Sequence, residues 1–303
     1  MNARDIEIFR SVMLAGTASK TAALLGISQS AVSQSLRKLE LSAGLRLFER
    51  VRGRLVATQE ARILLADVER HFVGLEVIEH RIRSLRSNGA SRLALASYPA
   101  LGLNFLPRAV AAFIKKFPKT QISLQVMNSR EVHHQVLTGQ VDFGLMADEM
   151  PVAGLEHSPF LEVQGVVVMR SDHPLAKVKT IGPSELRDVD FISLNTEDSS
   201  RKRLESLLDK EGVLLNPIVE TPLTQTVCEL ALQGVGVGIA NPIAASDFVG
   251  RGLVLKRMSI DVVFKGVLLF RTDKLLSENA KKFLGFMRIQ LHENEQYIEK
   301  IIA

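Results

Sequence analysis

The sequence predicts a multidomain chain with an all-α helix-turn-helix module, a long connecting helix and a larger α/β module, in that order. Three observations predict this fold class. Two short helical segments near the N-terminus are joined by a glycine-containing break of four residues. Residues 59–88 contain no proline, and strands and helices alternate over residues 89–303. With 303 residues, the chain is long enough for two or three domains.

The composition is that of a water-soluble globular protein, with 46% hydrophobic and 23% charged residues. The single cysteine, Cys228, excludes an intrachain disulfide framework and suits a reducing compartment. The N-terminal residues include acids and lack a long apolar region, so we expect no secretory signal. Because no apolar run approaches about 18 residues, we also expect no membrane span.

The net positive charge of the chain comes from its first fifth. Over residues 1–58, nine Lys and Arg face four Asp and Glu, whereas residues 59–88 and 89–303 are each balanced. This asymmetry predicts a small module that binds a polyanion, followed by a larger module that does not. The alternative is that the excess is chance surface charge.

The N-terminal module is predicted to contain three helices. Residues 3–14 form an amphipathic pattern, and residues 18–25 form a second short helix that ends at Gly26. Ser28 is a suitable N-cap for the third helix, because its hydroxyl can accept a backbone N–H of the first turn. The apolar residues of this third helix repeat at helical spacing and are expected to face a core: Val32, Leu36 and Leu39.

An arginine-rich stretch follows the third helix. Arg50, Arg52 and Arg54 alternate around Gly53, and β-forming residues and Thr58, a further N-cap candidate, come next. We predict a short β-hairpin wing whose arginines project outward. Three arginines this close repel each other unless counter-charge is near, and DNA phosphates would supply it.

Residues 59–88 are predicted to form one long helix. Apolar residues at steps of four and three indicate a coiled-coil seam with one polar member, and we interpret it as a dimer contact. The alternative is that the helix packs on its own domain. Residues 87–91 are predicted to be a hinge. The seam consists of Leu64, Val68, His71, Leu75, Ile78, Ile82 and Leu85.

The remainder alternates strand and helix, which predicts an α/β architecture with mainly parallel sheets. The expected strands are 92–97, 121–127, 142–146, 166–170, 191–194, 217–221, 235–240 and 263–271. The expected helices lie near 101–117, 129–139, 199–211, 223–233 and 276–296.

The stretches "ASKTAALLGISQSAVSQSLRKLE" and "GLRLFER" resemble the N-terminal signature of LysR-type transcriptional regulators, and the similarity extends over the full length. Later stretches, "FISLNTEDSS", "VETPLTQTVCELALQGVGVGIANPIAA" and "GLVLKRMSI", resemble more narrowly LysR itself and members that regulate amino-acid and opine metabolism. The resemblance implies a cytoplasmic regulator that binds promoter DNA as a homodimer or homotetramer and contacts RNA polymerase. It implies no catalytic residue, metal or cofactor.

The resemblance also implies how the domains divide. The expected parts are a winged helix-turn-helix domain over 1–58, a dimerisation helix over 59–88, and an effector-binding domain over 89–303. This last domain would have two lobes like those of periplasmic binding proteins, lobe I at about 89–163 and 268–303 and lobe II at about 164–267. A small effector would bind between the lobes, and an amino acid such as diaminopimelate, lysine or aspartate is expected.

Side chains on the third helix and the wing are the candidate DNA-binding residues. The amides can bond adenine edges, the hydroxyls can bond bases or phosphate, and Arg37 can reach guanine or phosphate. The wing arginines would contact the backbone or the minor groove. The set is Ser28, Gln29, Ser30, Ser33, Gln34, Arg37, Lys38, Arg50, Arg52 and Arg54.

Candidate effector-binding residues follow predicted strands or begin predicted helices, where backbone N–H groups attract carboxylates. Asp148 or Glu149 can hold an ammonium group, and Arg201 a second carboxylate. The alternative role of each polar residue is a helix cap. The resemblance favours Ser97, Asn128, Ser193 and Thr196, because the matching loops line the family's pocket. The set is Ser97, Pro99, Ala100, Leu101, Asn128, Ser129, Asp148, Ser193, Asn195, Thr196, Arg201, Thr221 and Thr224.

Other functions are less well supported. A solute-binding protein would lack the basic N-terminal module, and an α/β enzyme would need a nucleophile–base pair, a phosphate loop or a metal set. The run "GVGVGI" lacks the spacing of a nucleotide-binding loop. His133 and His134 have no partner ligands at metal spacing, and Cys228 is expected to be a buried apolar residue, with oxidation sensing as the alternative.

Overall fold

The computed structural model describes residues 2–51, 54–65, 67–68, 72 and 92–302. The chain forms two compact units, Met1–Ile82 and Arg83–Ala303, and each is described by itself. Within the described ranges, no helix is both long and apolar enough to cross a membrane.

The N-terminal unit has the predicted helix-turn-helix and hairpin. Each helix begins at a capping side chain, from Asn2, Thr17 or Ser28, and ends at a glycine with positive φ, the conformation that glycine adopts most easily. Strands β1 and β2 pair in antiparallel orientation and form the wing. The elements are α1 (Ala3–Ala15), α2 (Ala18–Leu25), α3 (Gln29–Ala43), β1 (Phe48–Val51) and β2 (Arg54–Ala57).

A small apolar core fixes how α3 sits in this unit. Val32, Leu36 and Leu39 are buried on its inner face, as the spacing predicted. Phe9 of α1 is fully buried and contacts the Phe48 ring edge-on, at 5.9 Å between centroids. Burying one such side chain contributes about 1.5–3 kcal/mol, so the apolar face of α3 is firmly held inward.

The start of the predicted long helix packs on its own domain. Residues 59–65, 67–68 and 72 are helical, and Thr58 Oγ1 caps the helix by accepting from Ala61 N at 3.2 Å. Val68 is buried in the N-terminal core and Leu64 packs against it, so this part of the seam is occupied within the unit. The remaining seam positions and the predicted hinge lie outside the described residues.

The second unit is built on two sheets, each covered by helices. The five-stranded sheet has the order β4-β3-β5-β13-β6 and the six-stranded sheet β10-β9-β11-β7-β12-β8. The strands are β3 (Arg92–Ser97), β4 (Gln121–Val126), β5 (Phe143–Ala147), β6 (Glu156–Gln164), β7 (Val166–Arg170), β8 (Thr180–Ile181), β9 (Asp190–Leu194), β10 (Asn216–Thr221), β11 (Val237–Ala240), β12 (Leu253–Met258) and β13 (Val263–Phe270). The helices are α4 (Pro99–Gly102), α5 (Phe105–Lys116), α6 (Ser129–Leu137), α7 (Ser199–Lys210), α8 (Thr224–Leu232), α9 (Pro242–Ala245) and α10 (Glu278–Ile301).

The sheets are mixed rather than mainly parallel, which corrects the prediction. Strand β3 is parallel to β4 and β5, but β13 is antiparallel to β5 and β6. In the other sheet, β7 is antiparallel to β11 and β12. The reason is that the chain crosses between the sheets twice, and strands beside a crossing enter the neighbouring sheet without a helical crossover.

The two crossings define the lobes. Gly165 N donates to Val262 O at 2.7 Å, so the two crossing segments lie side by side. A Cβ on Gly165 would lie 2.8 Å from the Phe264 ring, so this close approach requires glycine. Strand β13 lies wholly in the five-stranded sheet, and the predicted lobe boundary at 267–268 therefore falls inside a strand. The first lobe comprises residues 92–164 and 263–302, and the second residues 166–258.

Several element boundaries differ from the predicted ones. Strands β6, β8 and β12 were not predicted, and the helix expected over 101–117 is two helices, α4 and α5. The "GVGVGI" run leads into and forms most of β11, where a Cβ on Gly238 would lie 2.8 Å from Ile192 O of the neighbouring strand. Close strand packing therefore accounts for a glycine in this run.

Candidate DNA-binding surface and effector cavity

The outer face of α3 carries the predicted base-reading side chains. Ser28 Oγ caps the helix by accepting from Ala31 N at 3.1 Å and lies 2.8 Å from Ser30 Oγ. Because the apolar residues face the core, the polar residues point to solvent, as groove binding requires. The exposed predicted residues are Ser28, Gln29, Ser30, Ser33, Gln34, Arg37 and Lys38.

A buried carboxylate that the sequence did not reveal joins α3 to α1. Ser35 Oγ donates to Asp5 Oδ1 at 2.8 Å, and Lys38 Nζ lies 3.6 Å from Asp5 Oδ2. Burial raises the pKa of Asp5, but the Ser35 hydrogen bond and the Lys38 charge outweigh it, so the pKa lies below its ordinary value. Lys38 therefore has a structural partner in addition to its predicted phosphate contact.

Glu40 connects α3 to the wing. Its Oε1 accepts from Leu47 N at 2.8 Å and from Phe48 N at 3.0 Å, where the chain enters β1. Arg50 and Arg54 lie in the two paired strands, and Arg52 lies outside the described residues. The side chains of Arg50 and Arg54 are likewise outside what the structure describes.

A cavity of about 640 Å³ lies between the two lobes of the second unit. The carboxyl ends of β3, β4 and β5 meet it from the first lobe, and those of β9, β10 and β11 from the second, which is where α/β folds bind ligands. The predicted residues that the structure brings together in its lining are Pro99, Ala100, Asn128, Ser129, Asp148, Asn195 and Thr224.

The other predicted residues do not line the cavity. Ser97 is buried and its hydroxyl donates to Tyr98 O at 3.0 Å, while Leu101 and Ser193 are buried. Thr221 Oγ1 accepts from Leu223 N, and Thr196 is exposed outside the lining. Arg201 pairs with Glu205 and Glu220 and donates to Leu194 O. Its guanidinium is therefore already occupied within the second lobe.

The sequence missed several lining residues. Tyr98 and Asn241 directly follow β3 and β11, so the rule used for the other strand ends would have found them. Arg203 comes from one turn inside α7 and Lys265 from β13, positions for which the sequence has no comparable signal. Glu149, predicted as the alternative to Asp148, also lines the cavity. The additional lining residues are Tyr98, Met127, Arg130, Ala147, Met150, Glu197, Asp198, Ser199, Ser200, Lys202, Arg203, Pro222, Leu223, Asn241, Phe264 and Lys265.

Helices α6, α7 and α8 all begin at the cavity. Asn128 caps α6 by accepting from Glu131 N at 2.9 Å, and Asp198 caps α7 by accepting from Ser200 N at 2.8 Å. Leu223 precedes α8 and supplies no side-chain acceptor for its first turn. The N–H groups at the start of α8 therefore remain available to an anion.

Contacts between the lobes cross the cavity. Arg203 of the second lobe forms an ion pair with Asp148 of the first and donates to Val263 O at 2.8 Å. Ser199 Oγ donates to Asp148 O at 3.1 Å. On another side, Gln225 Nε2 donates to Pro99 O at 3.0 Å. Asp148, predicted to hold an ammonium group, thus already has a cationic partner.

Two side chains that line the cavity have shifted pKa values. Burial, and then the charges of Asp198, Glu197 and Asp148, raise the pKa of Glu149 against the opposing effect of a Ser129 hydrogen bond. Burial above all, with smaller contributions from nearby acids, raises the pKa of the Tyr98 phenol.

The remaining candidates have structural roles in the fold. Cys228 is fully buried on α8, and burial raises the pKa of its thiol, which disfavours the reactive thiolate. His133 Nε2 lies 2.9 Å from Ala153 O. In the described part of the chain, no three His, Cys, Asp or Glu side chains cluster closely enough to hold a metal ion.

Comparison with known proteins covers both units. Residues 3–62 match the family "Bacterial regulatory helix-turn-helix protein, lysR family", and residues 86–291 match the "LysR substrate binding domain". The chain is 33% identical to the transcriptional activator protein LysR of Escherichia coli K12, over 100% of this chain and 97% of that protein. It is 34% identical to the octopine catabolism/uptake operon regulatory protein OccR of Rhizobium meliloti, over 82% of each.

The fold agrees with this family. The solved structure of CbnR, a LysR family transcriptional regulator, matches with a TM-score of 0.62 at 19% identity, over 96% of this chain and 99% of that one. The relatives found are regulators and not enzymes. With family matches over both units and full-length identity above 30%, the chain belongs to the LysR family of DNA-binding transcriptional regulators.

Proposed function

We propose that this regulator controls a gene of amino-acid metabolism in response to an amino-acid-like effector bound between its lobes. The observation that carries the proposal is the chemistry of the cavity, which offers available acid groups and a helix N-terminus without a side-chain cap. These features complement an ammonium group and a carboxylate in one molecule. Similarity to LysR and to a regulator named for octopine catabolism supports the same class.

Diaminopimelate, lysine, aspartate and related compounds are the proposed effectors. The proposed contacts are those predicted residues that line the cavity: Pro99, Ala100, Asn128, Ser129, Asp148, Asn195 and Thr224. In thermal unfolding, one of these compounds is expected to raise the melting temperature of the full-length protein, because binding to the folded state alone stabilises it. A shift caused only by another metabolite class would overturn the proposal.

We further propose that α3 reads the promoter and that the protein acts as a homotetramer that contacts RNA polymerase. Gln29 and Arg37 are the proposed base readers, and each good bidentate contact is worth about 1–3 kcal/mol of discrimination. Gln29→Ala and Arg37→Ala are expected to weaken promoter binding about 10-fold or more, with a smaller effect on random DNA. Mobility shifts at fixed salt measure both affinities.

Matched controls for these variants lie in the second unit. Gln121→Ala and Arg187→Ala remove exposed side chains of the same types from the second unit, and are expected to leave both affinities unchanged. An equal loss on promoter and random DNA for Gln29→Ala and Arg37→Ala would show that these residues contact the backbone rather than the bases.

A further inference from the structure

The acids that line the cavity differ in what they already bind. Asp148 pairs with Arg203, and Asp198 accepts from backbone N–H groups at the start of α7. Glu197 is exposed to solvent. Glu149 is partly buried, and no cation pairs with it among the residues that the structure describes. It is therefore the cavity acid most in need of a positive charge.

Tyr98 borders the same cavity, but its phenol oxygen does not open into it. The oxygen has essentially no accessible surface and packs beside Gly266 of β13, where an added Cβ would lie 3.2 Å from it. An amine in the cavity could not reach this oxygen without a movement of the ring, so the Glu149 carboxylate is the acceptor that remains.

A protonated amine would satisfy Glu149. It brings a positive charge and several N–H donors that the Glu149 carboxylate can accept. A carboxylate in the same molecule would find the available N–H groups at the start of α8, next to Leu223 and Thr224.

We propose that Glu149 forms the amine site of the effector cavity, so that the effector is a primary amine carrying a carboxylate. This inference rests on the proposed function and names the groups that would recognise its effector. Asp148 is excluded from the amine contact because the Arg203 guanidinium already neutralises it. The ion pair instead ties the lobes together across the cavity.

Matched probes with and without amino groups test the inference on the full-length protein. Diaminopimelate is compared with pimelate, and aspartate with succinate, by thermal unfolding and titration calorimetry. We expect at least one amino compound to bind and its deaminated counterpart to bind at least about 10-fold more weakly, the effect of losing a charge-assisted hydrogen bond. Lysine is titrated alongside, and if none of the three amino compounds binds, the inference and the amino-acid effector are both rejected.

A substitution at Glu149 locates the contact. Glu149→Gln is expected to weaken binding of the amino compound by about 10-fold or more. Glu211→Gln, at an exposed site outside the cavity lining, is the matched control and should bind as the original protein does. Circular dichroism checks folding, and Glu149→Asp, which keeps the charge, should retain more affinity than Glu149→Gln.

The assignment of the amine site and the proposed effector class are contradicted by different results. If an amino compound binds and Glu149→Gln retains full affinity, the assignment of the amine site is wrong while the proposed effector class stands. If a metabolite without an amine binds and the amino compounds do not, the proposed effector class is wrong as well.

Discussion

At the scale of single residues, the environment determines which polar groups are available. Ser97 and Arg201 were predicted to bind the effector from their positions beside strands, yet each is occupied by partners within the fold. Asn128 and Asn195, predicted by the same rule, do line the cavity. The sequence can show that a polar residue follows a strand. Whether that residue already has a hydrogen-bond or ion-pair partner depends on packing between distant segments.

Glu149 gives a pH-dependent prediction for the effector-free protein. Because burial and the nearby Asp148, Glu197 and Asp198 raise its pKa in the folded state, its charge opposes folding once the pH exceeds the ordinary value for Glu. Glu149→Gln removes this cost. We expect the melting temperature at pH 7 to rise by on the order of 2 °C, and the gain to vanish as the pH falls below about 4.5.

Thermal unfolding from pH 4 to pH 8, without any added compound, measures this effect. Glu211→Gln serves again as the exposed control and should show no pH-dependent gain. A decrease in stability for Glu149→Gln at pH 7, or a gain of equal size at pH 4, would contradict the role of its buried charge.

At the scale of elements, the sequence pattern predicted those strands that are buried in the core, but not those that depend on pairing with a distant segment. Strand β7 is a continuous apolar run that is buried almost throughout, and the sequence predicted its bounds. Strand β6 contains Pro159 and two glutamates, and it is a strand because it pairs with β13, a segment about 100 residues away. The sequence carries no local signal for that pairing.

The link between α3 and the wing gives a prediction at this scale. Glu40 accepts two backbone N–H groups at the start of β1, so Glu40→Ala leaves both without this acceptor and should destabilise the N-terminal unit by about 1–3 kcal/mol. Because the wing is proposed to contact phosphates, promoter and random DNA should both bind several-fold more weakly.

Chemical denaturation and mobility shifts measure these two effects. Ser42→Ala, an exposed change on the same helix, is the control and is expected to alter neither. Unchanged stability with lost DNA affinity would instead indicate that Glu40 acts directly at the DNA surface.

At the scale of the whole molecule, the arrangement of the two lobes and the contacts between them form the cavity. The second lobe ends near residue 258 rather than 267, because the chain crosses back to the first sheet between β12 and β13. The alternation of strand and helix predicted an α/β domain, and the family resemblance predicted its two lobes. Neither could reveal the Arg203–Asp148 pair, which joins residues from different lobes.

Breaking this pair should loosen the lobes. In the effector-free protein, Arg203→Met is expected to lower stability by about 1 kcal/mol, since both side chains are partly solvated, and to increase the radius of gyration in small-angle scattering. Arg251→Met removes a pair with Glu229 inside the second lobe and is the matched control. Equal changes in the radius of gyration for both variants would show that the Arg203 pair does not hold the lobes together.

An amine-bearing effector in the cavity is proposed to change how this regulator acts on its promoter. DNase footprinting of the full-length protein on its own upstream region, with and without the amino compound that stabilises it, measures this directly. We expect a salt-sensitive footprint that changes when the compound is added to the original protein and does not change when it is added to Glu149→Gln. If no amino compound alters the footprint while a compound without an amine does, the amine-bearing effector is ruled out.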